Sequence, residues 1–138
     1  MEFKNVLELK KTIEKKYPYW EMDILKFECN HFLDEIELIY EDYADYDGNT
    51  IVVLKFIGCY KIISDHAKVA NGKTKVYAKH KPVKEMTASQ RGYILHSIKI
   101  EEVEIETLKF LIFKIDMSSM DVEIWCQNIE VFKKDKRE

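Results

Sequence analysis

The 138 residues carry 46% apolar and 34% charged side chains and a formal net charge of −3, the balance of a globular chain and not of a disordered or collagen-like one. The length suits a single domain whose core needs no disulfide or metal to hold it. Three cysteines with no short-range pairing pattern, no charged leader before an apolar stretch, and no apolar run near the roughly 20 residues of a membrane span lead to the expectation of a cytoplasmic chain with free thiols and no membrane contact.

In chain order, EFKNVLELKKTIEKKYPYW reads as an amphipathic helix over 1–17, with Phe3, Val6, Leu7, Ile13 and Tyr17 near helical spacing. Pro18 ends it, because proline lacks the amide hydrogen and restricts its predecessor. From residue 22 to 133 the period becomes two, giving a β-rich body, and 134–138 form a charged tail. Ile36, Leu38 and Tyr40 alternate with Glu37, Ile39 and Glu41. TIVVLKFIGCYKII, apolar on both faces, has the character of a central strand. Asp47-Gly48 between these runs predicts a hairpin turned by a two-residue type I′ turn, and Asn71-Gly72 predicts a second, basic hairpin. Residues 82–92 read as a loop with one helical turn around 87–91. In the last third, Ile94, Ile98 and Ile100, then Leu108, Phe110 and Ile112, then Val122 and Ile124 fall at even spacing, with polar breaks at 101–107 and 116–121 suited to hairpin connections. The phase shifts before Ile129 and Val131, which predicts a β-bulge at Gln127-Asn128.

The charge is unevenly placed: residues 21–60 sum to −8 and residues 61–92 to +6. The stretch EDYADYDGNT at 41–50 holds four acids and two tyrosines. As an EF-hand loop with Gly48 at its sixth position it fails, since Tyr43 and Leu54 would stand where carboxylate ligands belong. Two readings stay open. Tyr40, Tyr43 and Tyr46 beside Asp42, Asp45 and Asp47 form an anionic, aromatic face for a basic partner, or they cap a hairpin with rings packed inward and acids in water.

Elsewhere, Cys29 and His31 share a strand face, which raises a nucleophile or a metal, but a Cys-x-His pair gives at most two zinc ligands and no local catalytic signature surrounds it. The basic block from Lys68 to Lys84 with Tyr77, His80 and His96 is the nucleic-acid alternative; the acidic total opposes it, because neutralising a phosphate backbone calls for an unopposed basic surface. No phosphate-cradling glycine loop or Gly-x-Ser-x-Gly elbow is present.

The order of ECNHFLDEIELIYED, Phe56-Ile57-Gly58-Cys59-Tyr60, LHSIKI and VEIWCQNIEVF over residues 28–132 resembles small bacterial β-rich proteins, some grouped with the immunity proteins of polymorphic toxin systems. The resemblance implies a compact domain that acts by binding, with an acidic or aromatic surface held against a cognate toxin, often a basic nuclease.

The expected fold is therefore α+β: an N-terminal helix on a mostly antiparallel sheet of about six to eight strands, as a sandwich or half-barrel. The expected function is non-enzymatic protein binding, toxin neutralisation included, with no cofactor and no metal, through Tyr40, Asp42, Tyr43, Asp45, Tyr46 and Asp47. A ligand-binding cavity or enzyme centred on Cys29 and His31, and a self-associating structural subunit, are the alternatives.

Overall fold

A computed structural model describes residues 5–45, 47–65, 69–70, 73–74, 92–118 and 120–136. Helix α1 spans Val6–Lys16. It starts at Asn5, whose side chain accepts the Glu8 N–H at 2.9 Å and so satisfies one of the amides the first turn leaves open. Pro18 follows its end, as expected. The buried stripe is Leu9 and Ile13, one helical turn apart, with Val6 and Tyr17 partly buried beside them. Leu7, expected on that stripe, is 61% exposed; Leu9 takes the inward position because it lies four residues before Ile13. Phe3 lies outside the described residues.

The strands are β1 (Ile24–Asn30), β2 (Glu35–Glu41), β3 (Thr50–Asp65), β4 (Val69–Ala70), β5 (Lys73–Thr74), β6 (Tyr93–Ile105), β7 (Leu108–Ser118) and β8 (Asp121–Asp135). Six of them form one antiparallel sheet in the order β1-β2-β3-β8-β7-β6, and β4 and β5 pair with each other. The chain thus builds two three-stranded meanders and joins them through the long β3–β8 ladder, which places the doubly apolar β3 in the interior of the sheet. The sheet curls until its edges meet at one point, where Asp23 bridges Ile94 and the Leu95 N–H donates to the Met22 carbonyl at 3.0 Å. This is a half-barrel made from one sheet.

The inner face and α1 enclose a single main core that includes Leu38, Leu54, Phe56, Phe113, Ile124 and Ile129. Phe56 and Phe113 meet edge to face with centroids 5.0 Å apart, a favourable quadrupole arrangement. Ile39, Ile51 and Val53 form a smaller cluster. Because successive strand residues point to opposite faces, these odd-numbered residues lie on the outer face.

The expected bulge at Gln127-Asn128 takes a different form. The phase of β8 does change there, with Cys126 and Ile129 both in the core and the two residues between them exposed. The pairing stays in step, however: Ile57 faces Asn128 and Cys59 faces Cys126. Gly58, at φ +65°, makes the matching excursion on β3, so both strands kink together. The register shift itself comes one step later, between Cys59 and Lys61, and leaves Tyr60 as the extra residue.

The connections also differ from expectation. Residues 101–105 belong to β6, and the β6–β7 turn is only Glu106-Thr107, with φ of 50° and 74°, the positive values a two-residue turn requires. Ser118, the last residue of β7, has φ 68°, and beside it the Met117 N–H donates to the Met120 carbonyl at 2.8 Å. Strand β8 extends through Asp135, two residues into the expected tail. Across the Asn71-Gly72 position, Ala70 pairs with Lys73; the turn residues themselves, and the loop expected at 82–91, lie outside the described residues.

Candidate functional site

The acidic stretch connects β2 to β3, but not by a two-residue turn. Eight residues, 42–49, separate the strands, and of the expected Asp47-Gly48 pair only Gly48 has positive φ, +70°. The loop is folded by its own aspartates. The Asp42 carboxylate accepts the Ala44 N–H at 3.1 Å. Asp45 accepts the Asp47 N–H through Oδ1 and the Asn49 N–H through Oδ2, each at 3.0 Å. Short acidic side chains that bond backbone amides two to four residues on are a standard way to fix a loop without regular structure. The Thr50 hydroxyl, followed by the amides of Asp47, Asn49 and Thr50, holds the Asp45 carboxyl below the usual aspartate range, because hydrogen bonds to the ionised form favour it.

The six residues proposed as a contact surface separate accordingly. Tyr40 is fully buried; its hydroxyl donates to the Tyr17 carbonyl at 2.7 Å, tying the end of α1 to β2. Desolvation, then the neighbouring Tyr19, Asp42 and Tyr17, push its pKa well up. Asp42 is 7% exposed and pairs with Lys133 Nζ at 3.2 Å, which compensates a carboxylate removed from water. These two side chains belong to the framework and not to the accessible face: Tyr40 stands on the inward-pointing, even-numbered face of β2, and Asp42, the first residue of the loop, is held against Lys133. Tyr43 is 60% exposed, Asp47 is exposed and Asp45 partly so. Tyr46 lies outside the described residues. What remains accessible is a phenol and carboxylates on a loop whose shape is set from within, anchored by the Lys136 N–H to the Asn49 carbonyl at 2.7 Å.

Cys29 lies on β1 and His31 in the turn that follows it, so the two do not share a strand as the sequence suggested. Cys29 is exposed, and desolvation, then Glu28, raise its thiol pKa, the reverse of what an attacking thiolate requires. His31 sits in the β1–β2 turn at φ 52°, and its Nε2 lies 3.7 Å from Glu35 Oε2. Cys59 is pushed up to about 11, by desolvation first and then by Cys29, Asp34 and Glu35. Among the described residues no group of three or more His, Cys, Asp or Glu side chains is arranged to hold a metal ion, and no helix is long and apolar enough to cross a membrane.

One cluster escaped the sequence-based reading. Tyr60 is 61% exposed and its ring lies 4.9 Å from Phe110 and 6.4 Å from Trp125 between centroids, with Lys61 Nζ 5.1 Å from the Trp125 ring. These residues come from three strands. Their only sequence signal is that Trp125 is out of phase with the core residues Ile124 and Cys126.

The fold has a solved counterpart. An uncharacterised protein from Neisseria gonorrhoeae, known from a crystal structure, superposes with a TM-score of 0.51 at 12% identity, over 82% of this chain and 91% of the other; the likeness is one of fold. No curated protein sequence matches the chain. A family model described as "Immunity protein PIM7" matches residues 5–133, from the helix N-cap to Lys133 near the end of β8, and the chain belongs to that family.

Proposed function

We propose that this protein neutralises a toxin by binding it, without turnover, and that it does so in the cytoplasm. The observation that carries this reading is the immunity-protein family match across residues 5–133. The contact surface is the loop at 42–49, through Tyr43, Asp45, Tyr46 and Asp47, and the partner is a basic protein domain. Two physical features favour that surface. A half-exposed tyrosine offers rigid area with a polar tip, and such residues dominate interface energetics. The loop's hydrogen bonds also fix its shape in advance, so little ordering entropy is lost on docking. Its carboxylates steer a basic partner and speed encounter.

The test pairs this chain with a toxin domain sought among the products of the genes neighbouring its own. Growth of cells producing that domain should be restored by the wild-type chain, and the two purified proteins should co-elute. Tyr43→Ala and Asp47→Asn should weaken the complex by roughly tenfold or more each, with the Asp47 effect falling as salt rises. Full protection by the double variant would remove the loop from the account, and no protection by the wild type would remove the toxin.

A further inference from the structure

Strand β6 is an outermost strand of the six-stranded sheet, and its free edge is covered along only part of its length. Near its start the Leu95 N–H donates to the Met22 carbonyl at 3.0 Å, and the Leu95 carbonyl accepts the Glu21 N–H at 2.7 Å. Further on, the Ile98 N–H donates to the Tyr19 hydroxyl at 3.3 Å. From Ser97 to Ile105 the register with β7 is continuous. Backbone groups of alternate residues point to the same side of a strand. The N–H and C=O of Ile100, Glu102 and Glu104 therefore face away from β7, as the Ile98 N–H does. Among the described residues none of these groups has a hydrogen-bond partner.

The side chains beside this open stretch divide by face. Ile98 is in the core and Ile100 packs against it, so Glu102 and Glu104 stand on the inner face, past the end of the core and exposed. Across the ladder Glu102 faces Leu111 and Glu104 faces Lys109, and neither carboxylate forms an ion pair among the described residues. On the outer face are Glu101, Val103 and Ile105. Glu101 is engaged by Lys114 at 3.3 Å and takes no part here. Val103 and Ile105 are half-buried and face Phe110 and Leu108. An unpaired edge is a template for another strand, and charges along it restrict which strand. A second copy is disfavoured: every antiparallel register that joins two or more of Ile100, Glu102 and Glu104 to their counterparts sets one glutamate against another, and like charges directly opposite repel.

We propose that the edge of β6 from Ile100 to Ile105 accepts an antiparallel strand from a protein partner, a strand whose residues are alternately basic and apolar. Its backbone completes the hydrogen bonds of Ile100, Glu102 and Glu104. Its cations lie beside Glu102 and Glu104 on the inner face, and its apolar side chains extend the outer face beside Val103 and Ile105. In strand addition the main chain supplies affinity and the alternate side chains supply selection. The open stretch is about 17 Å long, enough for one short strand. The proposal does not rest on the toxin-binding reading: β8 and β7 lie between β6 and β3, the strand that follows the 42–49 loop, and the test needs no toxin.

The probe is a short acetylated and amidated peptide alternating arginine with valine, added to the full-length protein, with amide exchange followed residue by residue. In the free protein the Glu101 and Val103 amides, bonded to β7, should exchange slowly and those of Ile100, Glu102 and Glu104 fast. The peptide should slow the latter set roughly tenfold or more. Methylating the arginine amides, which face β6 in an antiparallel pair, should weaken binding by at least about tenfold, whereas methylating the valine amides, which face water, should change it less than about twofold. Glu102→Gln with Glu104→Gln should reduce affinity roughly tenfold, and the salt dependence with it. Equal losses with the two methylated peptides, or the reverse order, would overturn the proposal, as would equal binding of a glutamate-valine peptide. Protection of Ile100, Glu102 and Glu104 in the free monomer would assign the edge to the chain's own residues and overturn it too. So would protection that grows with protein concentration alone, which would assign the edge to a second copy.

Discussion

Gly58 is the position where one methyl group tests the architecture most directly. Its φ of +65° lies where L side chains are disfavoured, and a Cβ there would stand 2.8 Å from Gln127 Oε1 and 3.2 Å from Gln127 Cβ. Three terms set the effect of Gly58→Ala. The left-handed backbone costs about 1–2 kcal/mol for a residue with a Cβ. Pushing the Gln127 side chain off its rotamer costs about 0.5–1.5 kcal/mol. Against these, alanine lowers the entropy of the unfolded chain and returns about 0.4–1 kcal/mol. The net is a destabilisation of about 0.5–3 kcal/mol, centred near 2. Urea unfolding followed by tryptophan fluorescence should show a lower midpoint with an unchanged slope. Gln127→Ala in the same chain should recover only the side-chain part, so a double-mutant cycle separates sterics from backbone. Gly58→Asn should be milder than Gly58→Ala, because asparagine tolerates the left-handed region, and Gly58→Val harsher. An alanine variant as stable as the parent, or one fully rescued by Gln127→Ala, would refute the claim that β3 needs a glycine to kink in step with β8.

Three further outcomes follow from the described geometry. Tyr40→Phe removes the hydroxyl that reaches the Tyr17 carbonyl and should lower stability by about 1–2 kcal/mol without altering partner binding; a loss of binding at unchanged stability would place Tyr40 on the contact surface after all. The Asp45 carboxyl is held below its usual range by Thr50 and the loop amides. A depressed folded-state pKa stabilises fully above the unfolded value and fades as pH falls through the folded one. The loop should therefore keep its order at neutral pH and lose it only below about pH 4, read as faster amide exchange at Asp47 and Asn49; loosening near pH 6 would contradict the assignment. Replacing Glu106-Thr107, both at positive φ, with Asn-Gly should raise stability by about 1 kcal/mol, measured by thermal unfolding.

Local chemistry settled a large part of this protein. Period-two alternation announced the strands, Pro18 the end of the helix, and the doubly apolar TIVVLKFIGCYKII a strand with neighbours on both sides. Those signals are short-range, and the physics behind them, side-chain alternation and a missing amide hydrogen, acts within a few residues. The phase change at 127–128 was visible for the same reason. Its partner at Gly58 was not, because a glycine's φ depends on what the opposite strand does.

Only the assembled sheet decided which acids are available. Asp42 and Asp45 look alike in EDYADYDGNT, yet Asp42 is buried against Lys133, a residue ninety-one positions away, while Asp45 folds the loop locally. Likewise Tyr60, Phe110 and Trp125 become one surface because β3 pairs with β8 and β8 with β7. Alternation assigns each side chain to one of two faces, but it carries no information about which strands lie side by side; that comes from burying the inner face around α1, and it determines what the outer face presents.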